Sequence, residues 1–309
     1  MPEWLIERGI GETRAALVED GRIIEARVAR EGVVPVGTVL EGQLKSVGRN
    51  AVAIAGGQEY LLPKGAPGFT EGASIQVEVT REALAGTEPW KRPLGRLTNE
   101  SVRQAPGQDG REVSGSELDE AGWLDLLEEA RSGIIQFPGG ELRVFVTPAM
   151  SLIDVDGQLP PAELAVAGAR AAAEAIRRHG VGGSIGVDLP TVEGKAARQA
   201  AAATVDEILP KPFERTAVNG FGFLQIVRPR CHASTFELAA ERAAFEALVL
   251  LRQVRREVGA VRLVAHPAVI AVLEANPVWL EALSRQVGGA VALRSDPSLA
   301  ISAGHAEPA

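Results

Sequence analysis

The sequence predicts a mixed α/β (α+β) chain, with a small β-barrel in the N-terminal half and an α/β core in the C-terminal half. Three observations predict it. Short strands separated by Gly-rich turns crowd into residues 37–80. Two apolar strands, Phe145–Asp154 (FVTPAMSLID) and Gly183–Asp188 (GSIGVD), flank an Ala-rich helical stretch, Pro161–His179. A second strand–helix–strand pattern follows near the end, over 261–294.

Composition sets the bounds. The chain has 309 residues, enough for roughly two domains. Hydrophobic residues are 46% and charged residues 23%, the balance of a globular protein with a sizeable core. Aromatics are only 4%, so that core must be aliphatic. No uninterrupted apolar run reaches the length of a membrane span. The opening MPEWLIERGIGETR lacks the basic-then-apolar order of a secretory signal. One cysteine, Cys231, allows no intramolecular disulfide and no CxxC zinc pair, so a cytoplasmic location is expected. A net charge of −8 argues against a general nucleic-acid binder, yet the segment from Lys195 to Arg230 holds six cations against three anions.

In chain order, residues 12–28 read as a hairpin turning at Asp20-Gly21. The strands TVLEGQLKSV, NAVAIA, QEYLLP and SIQVEV follow, and their number and spacing suit an OB-like barrel. The expected division is an N-terminal hairpin region at 1–36, a barrel at 37–97, a polar linker at 98–116 and an α/β region at 117–309. In that last region a helix is expected over Glu117–Ser132, then a hairpin IIQF-PGG-ELRVFVTP. After the two strands comes a helix over Glu193–Leu209 and a second hairpin turning at Asn219-Gly220. A long helix over Ser234–Val258, strands at Val261–Ala265 and Ala290–Arg294, and a disordered tail Ile301–Ala309 complete the expectation.

The chemistry concentrates at Asp154 and Asp188. A parallel pair needs a crossover of a dozen or more residues, which Pro161–His179 supplies. The two strands would then be neighbours, with both aspartates at their carboxyl ends. Two carboxylates so placed repel unless protonated or bridged by a cation, and Mg²⁺ is often held by one or two carboxylates. Three readings of LIDVDG compete: an Asx-type turn after a strand, the nucleophile motif of haloacid-dehalogenase-like phosphatases with Asp154 attacking and Asp156 as acid/base, or a metal site of Asp154 and Asp188 with Asp156 beside them. Gln158 after the glycine, and no acidic pair after residue 260, weigh against the phosphatase. No GxxxxGK[ST] or GxSxG occurs, and the four histidines show no metal spacing; His266 before Pro267 reads as a helix cap.

The ordered segments ETRAALVEDGRIIEARV (12–28), GGELRVFVTPAMSLIDVDG (139–157), AGARAAAEAIRRHGVGGSIGVD (167–188), FGFLQIVRPR (221–230), AHPAVIAVL (265–273) and RSDPSL (294–299) resemble the ribonuclease E/G family of bacterial endoribonucleases. The resemblance implies a nuclease core joined to an S1-type RNA-binding domain of OB fold. It implies Mg²⁺ held by Asp154 and Asp188 and hydrolysis of phosphodiester bonds in single-stranded RNA. Arg228, Arg230, Lys195 and Lys211 would then hold substrate phosphates, and Tyr60, Phe69 and Trp90 are the barrel's aromatics, which either stack bases or simply fill the barrel's core.

The departures are specific. Asp156 stands where the family usually has Asn, and Thr191 where it has an acidic residue. The cysteine pair that links protomers through zinc is missing, so no zinc-linked oligomer is expected. The Arg-Thr pocket for a 5′-monophosphate has no counterpart in the shortened region 98–135. An RNA-binding protein of the same family without cleavage is the alternative.

Overall fold

In the computed structural model, which describes residues 1–84, 91–105 and 110–308, the chain forms three sheets and a closed barrel. The first sheet contains β1 (Glu3–Arg8), β2 (Glu12–Glu19) and β3 (Arg22–Arg30). Asp20 and Gly21, the two turn residues between β2 and β3, have φ of 49° and 75°. Left-handed φ at both positions marks a type I′ turn, whose twist matches that of the strands.

Five strands close the barrel: β4 (Val39–Ser46), β5 (Ala51–Ala55), β6 (Gln58–Leu62), β7 (Ser74–Arg81) and β8 (Leu94–Thr98), in the order β4-β5-β6-β8-β7. Closure leaves no unpaired strand edge. Its interior is aliphatic around one aromatic ring, with Leu44, Leu62, Ile75, Val77 and Val79 around Tyr60. The stretch 98–116 is not a bare linker. Arg103 bridges Val39 of the barrel, and β9 (Arg111–Glu112) pairs in parallel with β1, extending the first sheet to β3-β2-β1-β9.

The expected helix over Glu117–Ser132 is two helices, α1 (Gly115–Glu120) and α2 (Trp123–Ser132). Gly122, at φ 100°, breaks the run between them. They lead into a six-stranded sheet made of β10 (Ile134–Phe137), β11 (Gly140–Val146), β12 (Ser151–Gly157), β13 (Gly183–Asp188), β14 (Glu214–Arg215) and β15 (Phe223–Arg228). The order is β10-β11-β12-β13-β15-β14, a mixed sheet in which only β12 and β13 run parallel. Helix α3 (Pro161–Arg178) makes the crossover, and α4 (Lys195–Ile208) packs beside it. Alternate residues Leu142, Val144, Ile153, Val155, Ile185, Val187, Leu224 and Ile226 face these helices and are buried. Gly168 lets α3 approach closely, since a Cβ there would lie 2.3 Å from Val155 Cγ1.

The expected single strand Phe145–Asp154 is divided. β11 ends at Val146, and Thr147 closes a turn in which its hydroxyl donates to Met150 O at 2.7 Å and accepts from Met150 N at 3.1 Å. Pro148 has no N–H to give a ladder, so the chain reverses there. β12 therefore starts at Ser151 and runs antiparallel to β11, which places Asp154 within a strand rather than at its end.

The expected helix Ser234–Val258 is also two pieces, α5 (Thr235–Ala240) and α6 (Arg242–Val254). Ser234 and Glu237 form a capping box at the start of α5. β16 (Val261–Ala265), α7 (Pro267–Ala275), α8 (Pro277–Val287) and β17 (Val291–Ser295) follow, and β16 and β17 are parallel. His266 accepts from Ala268 N at 3.1 Å, the expected cap of α7. The tail is ordered rather than disordered: β18 (His305–Pro308) pairs antiparallel with β16. Ile301 and Ala306 also pack on the cluster under that sheet, so apolar burial accompanies the pairing.

Candidate functional site

The register of the six-stranded sheet brings the aspartates together. Asp154 lies directly across the parallel ladder from Asp188. Asp156, two residues along β12, shares their face. That face is the one the helices leave uncovered: Asp156 and Asp188 are exposed and Asp154 is half-buried. In the antiparallel ladder on the other side, Arg143 stands opposite Asp154 and Glu141 opposite Asp156. Arg143 Nη2 pairs with Glu141 at 2.7 Å. Around Asp154, four carboxylates thus stand with one guanidinium, a local formal excess of three negative charges.

Burial pushes the Asp154 carboxyl above its ordinary range, and the charges of Asp156 and Asp188 push it further. The Val155 N–H and the Arg143 guanidinium oppose the shift without reversing it. Neighbouring carboxylates that raise the proton affinity of Asp154 attract a divalent cation for the same reason. Among the described residues, no group of three or more His, Cys, Asp or Glu side chains is gathered tightly enough to hold a metal unaided. Mg²⁺ needs less, because it keeps several waters and takes one or two carboxylates alongside phosphate oxygens. The donor set of Asp154 and Asp188, with Asp156 adjacent, fits that ion.

Aromatic rings flank the acids. Phe223 lies across the ladder from Asp188, and its ring rests over Gly186, where a Cβ would meet it at 2.6 Å. Phe145 shares the face and is 53% exposed; Phe221, at the hairpin tip beside Asp188, is 83% exposed. The tip is held by Asn219 Oδ1, which accepts from Phe221 N at 2.9 Å and Phe223 N at 3.0 Å. Thr191 donates to Phe221 O at 3.1 Å. Sequence reasoning did not single out Arg143, Phe145, Phe221 or Phe223. The period-2 alternation in ELRVFV carries the signal for the first two, once β11 is set against β12.

The other expected site residues scatter. Arg228 and Arg230 leave the acidic cluster. Arg228 pairs across from Gly183, at the opposite end of β13 from Asp188, about 17 Å away at ~3.3 Å per residue. It shares the parity of Leu224 and Ile226, and its Nη1 donates to Val181 O at 3.1 Å and Ile176 O at 3.4 Å, closing the end of α3. Burial pushes its pKa down. Arg230 pairs with Glu237 of α5. Lys195 is exposed at the first turn of α4, and Lys211 is exposed with its Nζ 4.6 Å from the Phe213 ring centroid. Tyr60 is fully buried and offers no ring face to a base; its hydroxyl donates to Gln58 at 3.3 Å, and burial pushes its pKa up. Phe69, between β6 and β7, is 43% exposed. Trp90 lies outside the described residues.

The mixed sheet gives the phosphatase reading no support, because Asp154 is held within β12 rather than presented at a strand's carboxyl end. No helix among the described residues is long and apolar enough to cross a membrane. Compared with models of known protein families and with curated proteins, the chain matches none.

Proposed function

We propose that the chain is a Mg²⁺-dependent endoribonuclease that hydrolyses phosphodiester bonds of single-stranded RNA. The observation that carries this reading is the pairing of Asp154 with Asp188 across β12 and β13, with Asp156 beside them, on an open sheet face with excess negative charge. Asp154 and Asp188 hold the ion, and Asp156 adds a third carboxylate at its margin. Bound Mg²⁺ supplies an acidified water and charge neutralisation at phosphorus. Arg143 sets the electrostatics of Asp154 from the neighbouring strand. Phe145, Phe221 and Phe223 offer faces on which unpaired bases stack, a contact open to single strands and not to a duplex. Lys195 is the exposed cation nearest in sequence after Asp188 and is assigned to a substrate phosphate. The barrel, with Phe69 on its surface, is assigned to RNA binding.

The test is cleavage of an end-labelled single-stranded RNA with Mg²⁺ and with EDTA. Asp154→Asn and Asp188→Asn should each lose roughly 100-fold or more in rate, with the circular dichroism spectrum unchanged. Asp188→Asn that cleaves as fast as the parent protein sinks the reading. One observation favours the alternative, an RNA-binding protein without cleavage: Arg143 already supplies a counter-ion at Asp154. EDTA-insensitive RNA binding with no cleavage in any divalent ion would select it.

A further inference from the structure

Away from the acidic face, four arginines line a pocket of about 220 Å³ between the first sheet and helices α6 and α8. Arg8 ends β1, Arg14 lies in β2, Arg252 is in the last turn of α6, and Arg255 follows it; Gln286 of α8 is on the opposite wall. No carboxylate lines the pocket.

The acids lie behind the arginines. Glu7, 1% exposed, receives Arg14 at 2.9 Å, Arg252 at 3.2 Å and Arg255 at 2.5 Å. Glu12 pairs with Arg14 at 2.7 Å. Asp119 pairs with Arg252 at 2.6 Å and Arg256 at 2.9 Å. Three carboxylates therefore meet Arg14, Arg252 and Arg255, and Arg8 is matched separately by Glu112; Arg256 is 55% exposed and does not line the pocket. The lining itself is one-sided: the guanidiniums line the cavity while their carboxylates do not, and Arg14 and Arg252 are only 2% and 4% exposed. Burial depresses the Arg255 pKa; Glu7 opposes the shift, and the neighbouring charges of Arg252, Arg14 and Arg256 add to it. The backbone accommodates the cluster: a Cβ on Gly115 would fall 1.4 Å from Arg255 Nη2, and one on Gly9 would fall 2.7 Å from Arg14 Nη1.

We propose that this pocket binds a small oxyanion of the phosphate type, as inorganic phosphate or as the phosphate group of a small phosphoester. Such an anion meets the guanidiniums before it meets the carboxylates behind them, and it accepts several N–H donors at once, which is the geometry guanidinium groups favour. Gln286 donates from the far wall. The site is distinct from the carboxylates of the proposed nuclease centre and does not depend on that assignment.

The experiment is calorimetric titration of the full chain in EDTA with inorganic phosphate, pyrophosphate and AMP, against chloride at matched ionic strength. Saturable binding of at least one phosphate compound is expected, and which of the three binds distinguishes free phosphate from a phosphoester. Gln286→Glu changes an exposed residue and places a negative charge on the wall, so the fold is expected to persist. It should weaken binding about tenfold, and Arg8→Ala should weaken it less. Absence of saturable binding, or equal affinity in Gln286→Glu, overturns the proposal.

Discussion

Three effects oppose the ionisation of Asp154: its half-buried position, the charge of Asp156 two residues on, and the charge of Asp188 across the ladder. Its folded pKa is therefore raised, and the folded chain holds a proton at pH values where an unfolded aspartate has lost it. The folded state then binds more protons than the unfolded one, so stability falls as pH rises through this window and the deficit persists at neutral pH. Asp154→Asn removes the charge and keeps the shape. Without divalent ions its urea midpoint at pH 7.5 should exceed that of the parent, and the gain should shrink on acidification. On the proposed nuclease reading the same substitution lowers cleavage by roughly 100-fold or more, so stability and activity move in opposite directions, as expected where a site concentrates like charge. An unchanged midpoint at neutral pH would mean that the three carboxylates are too weakly coupled to share an ion.

His179 sits where three helices meet. Its backbone ends α3, its Nε2 lies 3.0 Å from Glu129 of α2, its Nδ1 lies 2.6 Å from the Thr235 hydroxyl of α5, and its ring stacks on Phe236 at 4.2 Å. A neutral ring satisfies both polar contacts, donating through Nε2 to the carboxylate and accepting at Nδ1. Burial pushes the pKa below the ordinary histidine value and Arg178 adds to this, while Glu129 opposes it. The unfolded chain gains a proton below about pH 6.5 and the folded chain does not, so stability should fall as the pH drops from there. Urea midpoints measured between pH 7.5 and 5 should show that slope, and His179→Gln should flatten it. An equal slope in the variant would assign the effect to His232, whose pKa burial also lowers. The helices around this junction were largely legible, because the Ala-rich period over Pro161–His179 and the Ser234–Glu237 capping box are local signals. So was the adjacency of Asp154 and Asp188, which follows from a crossover of that length. The break at Thr147-Pro148 was not, since Val146 before it and Ala149, Met150 and Leu152 after it keep the segment apolar. The register that sets Arg143 against Asp154 depends on that break. The strand His305–Pro308 was illegible for a different reason: its polar residues pair with a strand more than forty positions away, and only that partner makes them a strand.

Across the whole molecule, charge decides how the proposed RNA substrate can approach. The chain is at −8 overall, and the open sheet face adds a local excess of negative charge at Asp154, Asp156, Asp188 and Glu141. Arg228 and Arg230, which would offset this if they stood nearby, are committed to the α3 terminus and to Glu237. A phosphate backbone is repelled from such a face unless a divalent ion inverts its sign. Screening alone would weaken both attraction and repulsion, whereas an ion seated between carboxylates and phosphate attracts both. RNA affinity should therefore rise with Mg²⁺ at constant ionic strength, and Asp154→Asn with Asp188→Asn should remove the increment while leaving the Mg²⁺-independent part. Fluorescence anisotropy of a labelled single-stranded RNA, titrated in Mg²⁺ and in Na⁺ of equal ionic strength, reads both components. If the two salts give the same affinity, the RNA footprint lies on the barrel around Phe69 and not on the carboxylate face. Phe69→Ala should then lower affinity by the loss of one stacked base, about 1–3 kcal/mol.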